Sequence, residues 1–321
     1  PARGVSWLTE PVASREVFTP EKLSDEHRMF GQTAYDFSNK EVSPQVEELD
    51  HKKGEVGVPL MMKAGELGLL AVDVPAEYEG LGLDKVTSTI GAEKLGEGGA
   101  GSFMVLHGAH TGIGTLPIVY FGTEEQKKKY LPGLASGEVV GCYCLTEAGS
   151  GSDALAAKSK AVLSDDGTHY VLNGEKMFIT NAAFAGTAIV FAKIDGMDFT
   201  GFIDECDWDG VTTGNEEKKM GIHGSSTRTL ILEDVKVPVE NVLYETGRGH
   251  VIAFNILNIG RYKLGAACLG GVKWAIRESV TYANQRNQFK VPISTFRALR
   301  EKLANMFVKG YVLEALSLIH I

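Results

Sequence analysis

The sequence predicts a multidomain α+β protein in which a helical unit, an antiparallel β unit and a second helical unit follow one another. Two changes in the spacing of the apolar residues carry this prediction. The period is helical up to about residue 138, becomes that of short strands, and turns helical again from Gly249. We therefore expect domains at residues 20–138, 139–248 and 249–321.

The first unit is predicted to be all-α. Leu60, Ala64 and Leu67 recur at the spacing of one helix face. Thr123, followed directly by two glutamates, is typical of a helix N-cap with acidic residues in the first turn.

The middle unit is predicted to be antiparallel β. Its strand-like runs, divided by turn residues, are 142–145, 168–172, 176–180, 188–192 and 229–232. Asn173-Gly174 separates two of these runs, and this pair is preferred in type I′ hairpin turns because both central residues need a positive φ. We therefore expect the runs on either side of it to form a hairpin.

Two long helices are predicted after Gly249. The second has a near-heptad apolar seam formed by Phe296, Leu299, Leu303, Met306, Gly310 and Leu313. Helical bundles normally contain four helices, so the remaining partners are expected from the N-terminal helices, another subunit or sequence beyond Ile321.

Composition argues against several classes of protein. The 321 residues carry 32 Lys plus Arg against 41 Asp plus Glu, and the net charge of −9 disfavours nucleic-acid binding. Apolar runs fall short of the roughly 20 residues that cross a bilayer, and no signal peptide is evident, which predicts a soluble protein. Four scattered cysteines indicate neither a disulfide framework nor a zinc site, and they favour a reducing compartment. His107, His110 and His223 lack metal-ligand spacing and are interpreted as hydrogen-bonded structural residues.

Two neighbouring segments carry the functional signal. In the first, residues 143–153, a strand leads into Thr-Glu-Ala-Gly-Ser-Gly-Ser-Asp, where backbone N–H groups can approach a ligand without Cβ interference. A solvated turn explains this composition equally well. In the second, residues 173–181, Phe178 and Thr180 could flank a flat ring and hydrogen bond its edge, although a plain hairpin with Phe178 in the core is the alternative.

Together these two segments resemble the flavin-binding β-domain of the acyl-CoA dehydrogenase family, and the order helical, β, helical is similar to that family's architecture. The resemblance implies a middle antiparallel β-barrel domain with FAD in a crevice, and a C-terminal helical bundle that is incomplete here. It implies that Thr146 binds the pyrimidine side of the isoalloxazine and that Thr180 reaches toward N5. The implied FAD-binding residues in this domain are Tyr143, Leu145, Thr146, Gly151, Ser152, Phe178, Ile179 and Thr180.

Two helical segments extend the resemblance. The family's substrate segment is similar to Asn258, Ile259, Gly260 and Arg261, and Ser152 would also contact acyl-CoA; without the resemblance, Arg261 would be interpreted as a surface or subunit-interface charge. The segment Arg286-Asn287-Gln288-Phe289 resembles an element whose arginine meets the FAD pyrophosphate of a neighbouring subunit, so Arg286, Gln288 and Phe289 are implied FAD contacts. Lys290 replaces the family's usual small residue. Met104, Val105, Leu106 and Ala109 are implied to approach the acyl pocket.

The function implied is oxidation of saturated acyl-CoA to trans-2-enoyl-CoA in fatty acid β-oxidation, with electrons passed to electron-transferring flavoprotein. A homotetramer or homodimer in the bacterial cytoplasm or mitochondrial matrix is implied. Most members carry the glutamate base in a segment that would lie beyond Ile321, and a minority carry it where Gly260 stands, so no catalytic base is expected within this chain. The alternatives are a non-catalytic flavoprotein-like subunit or fragment and an acyl-CoA oxidase.

Overall fold

The computed structural model describes residues 18–319, so His320 and Ile321, at the end of the predicted third domain, lie outside the described residues. The N-terminal domain is helical, as predicted. Its α-helices are α1 (Asp25–Phe37), α2 (Val46–Lys52), α3 (Gly54–Glu66), α4 (Lys85–Gly96), α5 (Gly101–Gly108), α6 (Leu116–Phe121) and α7 (Glu124–Ser136).

The N-cap predicted at Thr123 is confirmed. Its hydroxyl accepts from the Gln126 N–H at 3.2 Å, and the Gln126 side chain accepts from the Thr123 N–H at 3.0 Å, which is a complete capping box. The Gln126 amide also donates to the carbonyl oxygens of Glu240 and Val242 at 2.7 and 2.9 Å. The same cap therefore begins α7 and attaches it to the β domain.

The three histidines considered in the sequence analysis are hydrogen bonded, as predicted. His107, His110 and His223 each bond a backbone carbonyl oxygen, at 3.2, 2.9 and 2.8 Å respectively. Burial lowers the pKa of His110 to about 4, and the Gly141 N–H donates to its Nδ1 at 2.9 Å. The neutral ring of His110 thus joins the helical domain to the start of the sheet.

The middle domain is an open sheet. Its strands are β1 (Gly141–Cys144), β2 (Lys160–Leu163), β3 (His169–Thr180), β4 (Thr187–Ile194), β5 (Asp198–Glu205), β6 (Val211–Thr213), β7 (Thr227–Pro238) and β8 (Val242–Leu243). The order is β6-β7-β3-β2-β4-β5-β8, with β1 also paired to β4. Among residues 18–319 no ladder joins the outer strands β6 and β8, so the predicted closed barrel is wrong.

The pairing of β4 explains why the purely antiparallel prediction fails. β4 pairs antiparallel with β5, but parallel with both β1 and β2 along its other edge. Its residues are buried almost throughout, and a continuous apolar strand of this kind is covered by other elements on both faces. Helices bury one face of the sheet, and on the other face the side chains of its own strands pack together in a second cluster, without closure into a barrel.

The hairpin predicted at Asn173-Gly174 is also wrong, because both residues lie inside the single strand β3. Neither has a positive φ. The Asn173 side chain exchanges hydrogen bonds with Asp234 of β7 across a register shift, at 2.9 and 3.0 Å. A Cβ on Gly174 would stand 2.2 Å from the Ser159 hydroxyl, so glycine serves the close approach of neighbouring chains here and not a turn.

Two long helices follow, as predicted: α8 (Gly249–Gln285) and α9 (Arg297–Ile319), joined by a small hairpin of β9 (Asn287–Gln288) and β10 (Val291–Pro292). The predicted seam of α9 is at least partly buried along its whole length, whereas Phe307 and Tyr311 on another face are exposed. A Cβ on Gly310 would lie 3.3 Å from Val272 and Ile276, so the seam faces α8. Within residues 18–319, none of the helices has the length and apolar character needed to span a membrane.

A shared core fixes α8 against the sheet. Ile252 and Ile256 on its first turns pack into one buried cluster with Phe191 and Ile203 of the sheet and Leu134 of α7. The helical and β domains are thereby packed around the N-terminal half of α8, where the candidate site lies.

Asp204 on β5 is a buried acid. Among the described residues neither of its carboxyl oxygens has a hydrogen-bond partner, and burial raises its pKa to about 8. The folded protein therefore holds this group protonated at neutral pH, whereas the unfolded chain ionises it near its ordinary value.

We predict that Asp204 makes stability fall as pH rises. Its contribution is fully present below the unfolded pKa of about 4 and is lost as pH rises through the folded pKa of about 8, by several kcal/mol in total. Asp204→Asn should abolish this slope in urea denaturation curves measured at intervals from pH 5 to pH 8.5. Asp198→Asn, an exposed change on the same strand, is the control. An unchanged slope in Asp204→Asn would contradict the assignment.

Candidate active site

The site begins with the loop that leaves β1. Glu147 and Ser150 exchange two backbone hydrogen bonds of 3.0 Å, and the Ser150 hydroxyl donates to the Asp153 carbonyl at 2.7 Å. A Cβ built on Gly149 or Gly151 would meet nothing within 4 Å. The loop is therefore held by its own backbone, and its glycines border open space.

The Glu147 carboxylate anchors this loop to the sheet. It accepts from the Lys158 N–H at 2.6 Å, from the Ser159 hydroxyl at 2.7 Å and from the Lys176 ammonium at 2.6 Å. Burial raises the pKa of Glu147, but these donors outweigh burial and hold the pKa at about 2. Lys176 is completely buried, so the pair lies out of water between the loop and β3.

The end of β3 turns an aromatic ring outward. A second register shift falls between Lys176 and Ile179, and Phe178 inside it has a φ of 60°. A bulge of this kind re-aims a side chain out of the sheet, and 58% of Phe178 is exposed. The Met177 N–H donates to the Thr146 carbonyl at 2.8 Å, which joins the bulge directly to the loop.

The loop and the bulge enclose a cavity of about 320 Å³, called here the cofactor cavity. It is lined by all eight residues that the sequence predicts for FAD in the β domain: Tyr143, Leu145, Thr146, Gly151, Ser152, Phe178, Ile179 and Thr180. Phe254 and Leu257 of α8 form part of its wall. The core position that sequence alone left open for Phe178 is excluded by its exposure.

A second, mainly apolar cavity of about 380 Å³, called here the acyl cavity, lies beside the first. It is bounded by α1, α4, α5 and α8 and by the π-helical segment Ala109–Gly114 that continues α5. The two cavities share the wall residues Ile113, Thr180, Leu257 and Arg261. A ligand in one cavity would therefore lie against a ligand in the other.

Comparison with known proteins assigns the family. The family models described as acyl-CoA dehydrogenase N-terminal domain, middle domain and C-terminal domain match residues 24–138, 142–235 and 247–319 respectively. This chain belongs to the acyl-CoA dehydrogenase family. The family comprises FAD-dependent oxidoreductases of fatty acid metabolism, which confirms the resemblance and the cofactor predicted from sequence.

Individual relatives support this membership. A probable acyl-CoA dehydrogenase of Bacillus subtilis is 56% identical over 313 residues, covering 98% of this chain and 52% of the relative. A crystal structure of an acyl-CoA dehydrogenase from Bacillus anthracis complexed with FAD superposes with a TM-score of 0.91 at 60% identity, covering 93% of this chain and 51% of that one. Butyryl-CoA dehydrogenase from Megasphaera elsdenii gives a TM-score of 0.85 at 37% identity, over 91% and 77% of the chains. The chain spans about half the length of the two Bacillus proteins.

In this acyl-CoA dehydrogenase family member, the four residues of the predicted substrate segment occupy three kinds of position. Gly260 and Arg261 line the acyl cavity. Asn258 accepts a 2.8 Å hydrogen bond from the Arg261 guanidinium and so supports it from outside. Ile259 packs against the core cluster instead, and its contact with substrate stays a prediction.

Most of the residues predicted to approach the acyl pocket do line the acyl cavity. Met104, Val105 and Ala109 line the acyl cavity. Leu106 does not, because it is fully buried in the core of the N-terminal domain.

One charged cluster in the acyl cavity was missed by sequence reasoning. Asp73 accepts from the ammonium groups of Lys85 and Lys263 and from the Ser88 hydroxyl. Burial raises the pKa of Asp73, but the two lysines outweigh it and hold the pKa at about 2. These residues lie far apart in the chain, and the one local signal was a lysine, Lys263, inside the apolar run of a helix expected to be buried.

The predicted diphosphate-binding element lies at the far end of α8. Leu257 and Gln285 are separated by about 40 Å of helix at 1.5 Å per residue. Arg286, Gln288 and Phe289 are exposed and belong to the lining of neither cavity. If Arg286 contacts an FAD, the flavin ring of that FAD therefore lies in the cavity of another copy of the chain.

The turn of this hairpin contains Lys290, the residue that departs from the family pattern. Phe289 and Lys290 are its two central residues, with φ of 52° and 68°. Positive φ at both positions defines a type I′ turn, in which a small residue such as glycine is favoured at the second. Lys290 adopts the same backbone with the added strain of a side chain.

We predict that the Glu147–Lys176 pair stabilises the site as a unit. Lys176→Met leaves the buried carboxylate without its cation and should lower the free energy of unfolding by about 3–5 kcal/mol, measured by urea denaturation. Adding Glu147→Gln to it should recover part of the loss. Lys160→Met, an exposed change on β2, is the matched control. A Lys176→Met protein within 1 kcal/mol of wild type would contradict the role of the pair.

Proposed function

We propose that the protein to which this chain belongs oxidises saturated acyl-CoA thioesters to trans-2-enoyl-CoA, with FAD as cofactor. The reaction removes a proton from the α-carbon and a hydride from the β-carbon. The observation that carries the proposal is the wall shared by the two cavities at Thr180 and Arg261. A flat cofactor in one cavity and an acyl group in the other would have their reacting atoms in contact, which is the main requirement for hydride transfer.

The cofactor cavity fits the isoalloxazine of FAD. Phe178 offers an exposed flat face, Thr146 and Thr180 offer hydroxyls at the cavity edge, and Gly151 leaves open space where a backbone N–H can approach a ligand. We assign FAD contacts to all eight of the lining residues predicted from sequence. When bound, FAD supplies the hydride acceptor that protein side chains lack.

The substrate contacts that we propose centre on Arg261. Asn258 fixes its guanidinium at the junction of the cavities, where it can orient the thioester end of the substrate. Gly260 leaves space for the substrate at this wall, because a Cβ there would already stand 3.2 Å from the Ile113 side chain. Ser152 and Ile259 complete the proposed substrate contacts. The apolar walls exclude water from the reacting carbons.

We assign no catalytic base among the described residues. Asp73 is the one carboxylate among the described residues that line either cavity, and with a pKa of about 2 it is a weak base at neutral pH. Gly260 has no side chain to accept a proton. The sequence-based expectation of a glutamate beyond Ile321 stays a prediction.

Electron transfer to electron-transferring flavoprotein and assembly as a homotetramer or homodimer are part of the same proposal, as is a location in the bacterial cytoplasm or mitochondrial matrix. The length of α8 favours assembly, because Arg286 could contact FAD only across a subunit boundary. Two alternative hypotheses remain. One is an acyl-CoA oxidase, and the other is a non-catalytic flavoprotein-like subunit.

One experiment separates these readings. The purified protein is incubated with FAD, freed of excess FAD by gel filtration, and titrated anaerobically with saturated acyl-CoA while the flavin spectrum is recorded. Retained FAD whose spectrum responds to acyl-CoA supports the proposal. A colourless protein that cannot be reconstituted favours the non-catalytic reading, and peroxide formed in air without another acceptor favours the oxidase.

Thr180→Ala should change the reduction potential and the reduction rate of the bound flavin while leaving the fold intact. Losing a hydroxyl beside the ring removes about 1 kcal/mol of hydrogen bonding, so we expect a shifted reduction potential and roughly fivefold slower reduction. Thr180→Ser keeps the hydroxyl and is the control. A potential and a reduction rate equal to wild type in Thr180→Ala would remove Thr180 from its proposed role.

Arg286→Ala should weaken both FAD retention and subunit association. Charge-assisted bonds to a diphosphate contribute about 1.5–3 kcal/mol, so we expect a Kd for FAD roughly tenfold to a hundredfold higher, measured by equilibrium dialysis, and smaller particles in sedimentation. Arg300→Ala, an exposed change on α9, is the control. Normal retention would instead identify Arg286 as a surface charge.

A further inference from the structure

The acyl cavity is long. Along α8 its wall extends from Leu257, which also lines the cofactor cavity, to Ala267, a rise of about 15 Å. A second wall extends from Ile113, again shared with the cofactor cavity, back to Met104 on α5. The cavity therefore leads away from the reacting end as a channel between helices.

The lining along α8 ends where the backbones of α4 and α8 approach each other closely. A Cβ on Gly96 of α4 would stand 2.3 Å from the Ala267 carbonyl oxygen, and one on Gly270 of α8 would stand 1.9 Å from the Glu93 carbonyl oxygen. Both positions must be glycine for α4 and α8 to approach so closely. Ala267 is the last residue of α8 that lines the channel, and this helix contact limits its depth along α8.

The volume of the channel sets the size of its ligand. At about 380 Å³ it is about two and a half times the roughly 150 Å³ apolar cavity that holds one benzene ring, so it accommodates on the order of fifteen carbon atoms. A butyryl group would leave most of this apolar surface without a partner, so most of the possible van der Waals contacts in the channel would not form.

The polar part of the wall does not call for a charged ligand. Asp73 is matched within the protein by Lys263, Lys85 and Ser88. An ω-carboxylate on the acyl chain would have to compete with Asp73 for these lysines in an otherwise apolar channel, and it would lose its hydration there.

From these observations we infer that the substrates are straight, uncharged acyl groups of about twelve to sixteen carbons. This inference rests on the proposed function, because it assumes that the channel holds the acyl chain of an acyl-CoA. It goes further in fixing the length class and in excluding short-chain and dicarboxylic thioesters as the preferred substrates.

Binding of saturated acyl-CoAs to the FAD-reconstituted protein tests the inference without relying on turnover. Isothermal titration calorimetry would use even-numbered chains from butyryl-CoA to stearoyl-CoA, together with glutaryl-CoA. Each methylene buried in an apolar channel should lower the Kd about fourfold. We expect this decrease to continue to about twelve to sixteen carbons and then to stop, with glutaryl-CoA among the weakest ligands.

Two variants locate the chain within the channel. Ala267→Leu and Ala92→Leu add bulk at the distal end, where both alanines line the cavity. Either should raise the Kd for palmitoyl-CoA at least tenfold and leave that for butyryl-CoA within twofold. Ala275→Leu makes the same change on α8 outside the lining and should alter neither. Ala92 is only partly buried whereas Ala267 is 5% exposed, so we expect Ala92→Leu to disturb the folded packing less than Ala267→Leu.

The possible results distinguish failure of the chain-length inference from failure of the proposed function. Tightest binding by butyryl-CoA or glutaryl-CoA, with the flavin spectrum still responding, would overturn the chain-length inference and keep the proposed function. Equal effects of the channel variants on all chain lengths would also overturn it. Failure of every acyl-CoA to bind would overturn both.

Discussion

The site depends on one buried interaction, the ion pair that joins Glu147 to Lys176. The loop after β1 has no regular secondary structure, and its glycines leave it little intrinsic rigidity. Glu147 compensates by accepting from Lys176 and from the Lys158 and Ser159 N–H groups, which fixes the loop at the end of β3. This anchor and the hydrogen bond from the Met177 N–H to the Thr146 carbonyl together set the geometry of the opening between loop and bulge.

The helix α8 lines both the cofactor cavity and the acyl cavity and so joins them into one site. Its first turns are held on the sheet by Ile252 and Ile256, and the next three turns form a wall of both cavities. Farther along, Gly270 brings it against α4, close to Ala267, the last α8 residue that lines the acyl cavity. One rigid element therefore sets the distance between cofactor and substrate and the depth available to the acyl chain, while its far end presents Arg286 to another subunit in the proposed assembly.

Sequence predicted those parts of the molecule that are local in the chain. The N-cap at Thr123, the seam of α9 and the eight β-domain residues that line the cofactor cavity each lie within short segments with a recognisable pattern. The errors arose where distant contacts decide. Asn173-Gly174 has turn chemistry, but Gly174 is required by its contact with Ser159, and the parallel partners of β4 leave no trace in local periodicity. The cluster of Asp73 and Lys263 likewise joins segments 190 residues apart.

The central claim is that the two cavities hold a flat cofactor and an acyl chain in contact at Thr180. A crystal structure of the FAD-reconstituted protein with a bound long-chain acyl-CoA tests it most directly. The account predicts the isoalloxazine between the Thr146 loop and Phe178, with the acyl chain extending along α8 toward Ala267. Electron density showing the cofactor cavity filled by the protein's own side chains, or the acyl chain outside the channel, would contradict it.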